Sequence, residues 1–356
     1  MKTSLALFAA GLALASAFPL LAQPAAGGSY RVLQLEKVGG DGGWDYVYAD
    51  ANGRKLYIPR GNRVTVFDLD TLAPAGEIAG TNSVHGAVVD PKSGHGFCSS
   101  RPVVMWDAKT LATIKTIDVQ GGPDGILFDA PTDHVFILSH RAPNLTVIDA
   151  ASGTVAGTVD LGGAPEQGAS DGQGRLYFDI EDKSQVAVVD AKSLQVLAKY
   201  DLSSKAQGPA GLALDAKRGV LFSYCRNPAA CVILGAADGH IIASLPIGSG
   251  CDGAEFNADT GEAISSQGDG TLTFIKADTS GQYAVEQTVQ TKAGARTSTL
   301  DAKTGRVLLI TADMQPAPAE PAAASPAPAA GEQPPRPRRG RGRMVPGSFT
   351  IVVVGR

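Results

Sequence analysis

No two cysteines in this chain stand in a C-x-x-C pair. Of 356 residues four are cysteine, Cys98, Cys225, Cys231 and Cys251, and this excludes a thioredoxin-type redox centre and a c-type haem attachment. There is no Gly-x-Ser-x-Gly elbow for a serine nucleophile. Glycine pairs such as Gly250-Cys251-Asp252-Gly253 have no helical segment after them, so they are not phosphate-binding loops. Helical periodicity is missing beyond the first two dozen residues. Only Leu5–Ala22 approaches the roughly 20 apolar residues of a spanning helix. The formal net charge is −4, too mild to call for a polyanionic partner.

The apolar run follows Met1-Lys2-Thr3, is broken by Gly11, Ser16 and Pro19, and has small residues at Ala15-Ser16-Ala17 and Ala22. This is the pattern of a cleaved secretory signal peptide over residues 1–22, and it predicts a periplasmic or secreted protein. An oxidising compartment permits disulfides. Cys225 and Cys231 flank a short loop and are the candidate local bridge, whereas Cys98 is expected to be a buried free thiol.

What is present is a repeat. The stretch Gly122-Pro123-Asp124-Gly125-Ile126-Leu127-Phe128-Asp129 recurs in degraded form seven times. Its last aspartate aligns with Asp50, Asp90, Asp129, Asp171, Asp215, Asn257 and Asp301, spaced 40, 39, 42, 44, 42 and 44 residues apart. Each period reads as four short strands rich in β-branched and aromatic residues and bounded by Gly, Asn, Asp and Pro. One such sheet cannot bury both its faces, but seven packed around an axis can. The fold class is therefore all-β, a seven-bladed β-propeller of four antiparallel strands per blade over residues 29–356. The last repeat has only three strands, and the orphan strand Tyr30–Val38 is expected to supply its fourth and close the ring. Residues 315–346, rich in Pro and Ala and then in Arg, interrupt that repeat and are expected to be a disordered insertion between its second and third strands.

Leu56-Tyr57-Ile58-Pro59-Arg60-Gly61-Asn62 with Val64-Thr65-Val66-Phe67-Asp68, and Asn144-Leu145-Thr146-Val147-Ile148-Asp149 running on to Val159–Pro165, resemble the YVTN-type repeat of YncE-like exported β-propellers. The literal Tyr-Val-Thr-Asn tetrapeptide is absent, and Gly235 replaces the third-strand aspartate in the fifth repeat. The resemblance implies a seven-bladed periplasmic propeller and leaves the chemistry open.

The residue five before each anchor is Asp45, His85, Asp124, Glu166, Ala210, Asp252 or Arg296. The first strand of a propeller repeat is innermost, so this column should ring one mouth of the central channel. The residue after it is glycine in four repeats, Gly86, Gly125, Gly211 and Gly253, which lets backbones crowd the axis. Loops between second and third strands open on the same side and add a rim of Arg60, Arg101, His140, Arg141, Glu181, Asp182, Arg226 and Asp269. Acidic residues in the column also suit plain capping of the loop before the strand. If the ring is a site, its carboxylates need counter-charge. Arg296 and protonated His85 are one source; a divalent cation (Ca, Mn or Zn) held by Asp45, His85, Asp124, Glu166 and Asp252 is the other. Arg336, Arg338, Arg339, Arg341 and Arg343 of the insertion would stand over this face as an arm for an anionic partner, or form a plain solvated linker.

These readings point to an exported propeller that binds a small ligand or an envelope protein at the channel mouth without catalysis. The alternatives are a metal-assisted hydrolase or lactonase using the acidic ring, and a structural scaffold in an envelope assembly.

Overall fold

The computed structural model describes residues 29–315 and 343–356. The expected signal peptide, residues 1–22, lies outside them, as do Arg336, Arg338, Arg339 and Arg341.

Seven four-stranded antiparallel sheets make seven blades. Blade 1 is typical: Tyr48–Asp50, Lys55–Pro59, Val64–Asp68 and Pro74–Ile78 pair in sequence order. The first strand of each blade is innermost. First strands of consecutive blades touch, and that of blade 7 (Ser298–Asp301) touches that of blade 1, so the ring is closed. Closure is covalently staggered, as expected from the orphan strand. Blade 7 takes Ser298–Asp301, Arg306–Thr311 and Thr350–Gly355 from the C-terminal end and Arg31–Lys37 from the N-terminal end. Leu35 pairs with Val352 and Lys37 with Thr350.

The repeat exists because each sheet presents two apolar faces. Second strands are buried throughout, as in Val135–Leu138. Their alternate side chains enter different cores: Phe136 and Leu138 meet blade 4, while Val135 and Ile137 meet blade 2. Seven hydrophobic clusters result, one at each blade boundary. Outermost strands alternate instead, as Ile241–Pro246 does. The anchor residues cap the turn from first to second strand. Asp50 Oδ1 accepts the backbone N–H groups of Asn52 and Gly53 at 3.1 and 2.9 Å, and Asp90 serves Lys92 and Ser93 likewise.

The cysteine expectation needs correction. Cys225 and Cys231 are both free and buried, as are Cys98 and Cys251. In the strand register Tyr224 faces Cys231 and Cys225 faces Ala230. The two thiols are thus one position out of step and point to opposite faces of the sheet. Cys225 packs in the core toward blade 4 and Cys231 in the core toward blade 6.

Candidate functional site

A device of the backbone presents the ring. The innermost strands of blades 3 to 6 carry a β-bulge between Pro123 and Ile126, Pro165 and Gly168, Pro209 and Gly211, and Cys251 and Gly253. Asp124, Glu166, Ala210 and Asp252 sit in those bulges, where the extra residue turns its side chain out of the ladder. The neighbouring glycine is needed for close approach: a Cβ on Gly125 would collide with the carbonyl oxygen of Glu166. Hydroxyls tie the ring across blade boundaries. Ser99 of blade 2 donates to the carbonyl of Asp124, Ser266 of blade 6 to that of Arg296 at 2.6 Å, and Thr297 of blade 7 to that of Asp45 at 2.9 Å.

The side chains close a circle of alternating acids and bases. Asp45 Oδ2 lies 2.7 Å from His85 Nδ1, which lies 3.0 Å from Asp124 Oδ1. Asp124 Oδ2 is 2.9 Å from His140 Nε2, and His140 is 3.7 Å from Glu166 Oε1. Arg226 stands 4.0 Å from Glu166 and bonds both Glu181 and Asp252. Arg296 Nε is 2.6 Å from Asp252 Oδ2, and its Nη2 returns to Asp45 at 4.0 Å. Four carboxylates and four bases thus alternate around the axis. Blade 5, where the ring position is Ala210, is served by Arg226 from the end of its second strand, Val220–Asn227.

Charge sets the protonation of this circle. Hydrogen bonds to Asp124 and then Asp45 push the His85 imidazolium up to about 10. His140 is raised chiefly by its hydrogen bond to Asp124. Burial opposes ionisation of Asp124, but the two imidazoles outweigh it and hold that carboxyl well below the usual range. Glu166 has the longest ion-pair links, and burial followed by the charge of Asp124 pushes it up to about 8. Tyr46, beneath the ring, donates its hydroxyl to Glu166 Oε2 at 3.1 Å.

All six charged residues of the column are therefore brought together. Of the rim, His140, Arg226 and Glu181 join them. Arg60 does not: it is 2% exposed, packs on the Phe349 ring at 3.6 Å and donates to the Asp41 carbonyl at 2.6 Å. It buttresses a loop. Asp182 caps Ala164 N–H at 2.7 Å, and Asp269 caps Ser249 N–H at 2.6 Å. Arg101 donates to the Gly121 carbonyl, and Arg141 is exposed. Trp44 packs against Phe349. The two ends of the insertion are pinned to each other, with Gln315 N–H donating to Arg343 O at 2.7 Å. Met314 and Met344 beside them line a hollow with Trp44 and Arg296, on the ring's face. The sequence reading missed Tyr46, Gln167 and the three hydroxyls, although Ser99 and Ser266 stand at the same repeat position, nine residues after Asp90 and Asn257, and that coincidence was the signal that could have found them.

A cavity of about 560 Å³ opens over the ring, with Asp45, Asp124 and Glu166 in one part of its wall and Arg226, Asp252 and Arg296 in another. Two triads of metal-ligating atoms, Asp45–His85–Asp124 and Asp124–His140–Glu166, share Asp124, the atoms of each triad lying within 4.8 Å of one another. No ion-pair partner of the circle comes from outside the mouth among the described residues.

No protein-family model and no curated sequence matches the chain. Among solved structures it is similar to a chain of a "Crystal Structure of Mitotic Checkpoint Complex", at 12% identity and a TM-score of 0.66, over 85% of this chain and 96% of that one. At this identity the likeness concerns the fold, the seven-bladed β-propeller.

Proposed function

We propose that the protein binds, without catalysis, a small polar ligand or a partner loop carrying charges of both signs, at the channel-mouth face. The observation that carries this is the closed circle of alternating acids and bases, six of whose eight members line a 560 Å³ cavity. Such a rim offers an ammonium group carboxylates and an anionic group guanidiniums within one cavity, already positioned. No nucleophile–base pair with a free oxygen or sulfur nucleophile stands among these groups. The apolar run at residues 5–22 supports export, so the ligand would be met in the periplasm or outside the cell. The repeat pattern supports a relationship to the YncE-like propellers. The test is a melting-temperature screen with glycine, lysine, glutamate and tripeptides at millimolar concentration, since a ligand of the native state raises stability by mass action. We expect a member carrying both charges to raise the midpoint of the wild type and not of Arg296→Met. No shift across the panel would contradict the small-ligand reading.

The pair of triads favours a second reading, a divalent-metal centre bridged by Asp124 that polarises a carbonyl for hydrolysis. A metal would have to displace the protons held on His85 and His140, so its binding would strengthen as pH rises. Metal analysis of the protein purified without chelators, with Zn²⁺ and Mn²⁺ shifts on wild type and Asp124→Asn, separates the two readings.

A further inference from the structure

Below the ring the channel holds a second, smaller cavity of about 320 Å³. Its wall includes Tyr46, Tyr48, Phe128, Gln167 and Glu255. Glu255 is on the innermost strand of blade 6, Cys251–Asn257, three residues past the ring position. The matching residues of the other blades are Tyr48, Val88, Leu127, Ala169, Ala213 and Thr299, all uncharged.

Glu255 has no ion-pair or hydrogen-bond partner among the described residues, and no lysine or arginine lines this cavity. Gln167, the nearest candidate by position in the wall, is already committed to the backbone. It donates to Ala254 O at 2.8 Å and accepts from Leu212 and Ala254 N–H at 3.1 and 3.0 Å. A carboxyl in such a place is costly unless it is neutral or matched. Burial alone raises it to about 8, so near neutrality it holds its proton. Packing does not call for a carboxyl, because uncharged side chains from alanine to tyrosine serve at the same position elsewhere. Glu166 of the ring also reaches this cavity, where it accepts the Tyr46 hydroxyl, and two carboxyls still fall short of the roughly six to eight oxygens calcium takes. A carboxyl beside three aromatic rings is the chemistry that receives an organic cation, through one ion pair and the faces of the rings. The cavity volume is at the small end of ligand pockets, about 300 Å³ and upward.

We propose that the channel is a binding site for a small organic cation, an ammonium or guanidinium compound, whose charge is met by Glu255. Binding then releases the proton of Glu255: a carboxylic acid and a cation become a carboxylate–cation pair and one proton passes to solvent. The inference does not depend on the ring being a ligand site.

The test uses the full mature chain and isothermal calorimetry with choline, ethanolamine and agmatine, and with 3,3-dimethyl-1-butanol as the neutral counterpart of choline. We expect at least one cation to bind the wild type, to release a proton seen as buffer-dependent heat, and to bind more tightly at pH 8 than at pH 6. Glu255→Gln, shown to be folded by its melting curve, is expected to weaken it at least tenfold, while the neutral alcohol does not bind. Absence of binding by all three cations would overturn the proposal. So would equal affinity for wild type and Glu255→Gln, which would move the cation to the ring above; Asp124→Asn would confirm that relocation.

Discussion

At the residue scale the molecule places charge where the backbone is least regular. Asp124, Glu166 and Asp252 stand in bulges, and His140 and Arg226 at strand ends, so each can reach the axis without breaking a core. Arg226 is the most committed of them, serving Glu181, Asp252 and Glu166. Arg226→Met leaves Glu181 without an ion-pair partner and Asp252 with Arg296 alone, and is expected to cost about 1–3 kcal/mol, below the full penalty for a buried pair because the side chain is partly exposed. Urea denaturation at pH 7 measures it. Glu255 behaves in the opposite sense. Its folded value, about 8, lies above the ordinary 4.5, so its folded state is favoured by the proton. That contribution is intact below pH 4.5 and is lost as pH rises through 8. Glu255→Gln should therefore leave stability unchanged at pH 4.5 and raise it by about 2–3 kcal/mol at pH 8, given ~1.4 kcal/mol per pH unit and some solvation of the cavity. Melts of both proteins across this range decide it; a constant difference would contradict the assignment.

At the scale of the element, blade 7 depends on the strand Arg31–Lys37. Just before it, Tyr30 stacks on Phe274 with centroids 3.9 Å apart and donates to Glu262 Oε2 at 2.6 Å. Deleting residues 29–37 removes these contacts and a ladder of backbone hydrogen bonds, a loss of about 5 kcal/mol or more. It also leaves Thr350–Gly355 as an open edge, which should appear as self-association in size-exclusion chromatography. Blade 2 offers a finer test. A Cβ on Gly96 would overlap the indole of Trp106, which is fully buried. Gly96→Ala is expected to destabilise by about 3 kcal/mol, at the upper end for overpacking, as read from its melting midpoint.

Much of this was legible because repetition multiplies the signal. One degenerate strand is ambiguous, but seven copies with an aspartate, or once Asn257, near each fortieth residue fix the blade, its turn and its innermost strand. The ring column could be read for the same reason. What could not be read is whatever differs between copies. Ala210 looked like a gap, and only the structure shows Arg226 filling it from another strand. Arg60 follows the second strand of its blade and Arg226 stands near the end of its own, yet one props a loop and the other completes the circle; local packing against Phe349 decides that, and no pattern in the sequence carries it. The Cys225–Cys231 bridge failed on strand register, which the loop length suggested but did not determine.

At the scale of the whole molecule, seven blades deliver eight ionisable side chains to one mouth and stack a second, nearly uncharged chamber beneath it. The mouth is where blades may vary without cost to the cores, since the ring lies beyond the seven hydrophobic clusters. It follows that the ring should respond to pH as a unit. His85, with its folded value raised to about 10 against an ordinary 6.5, contributes stability that is complete below pH 6.5 and lost as pH rises through 10. The central claim, that these groups form one closed circle of paired acids and bases, is tested most directly by an NMR pH titration of the His85 imidazole in the full-length protein. The account predicts that His85 stays protonated past pH 8.5 in the wild type and falls toward an ordinary histidine in Asp124→Asn. Titration near pH 6.5 in the wild type, unchanged by Asp124→Asn, would contradict it.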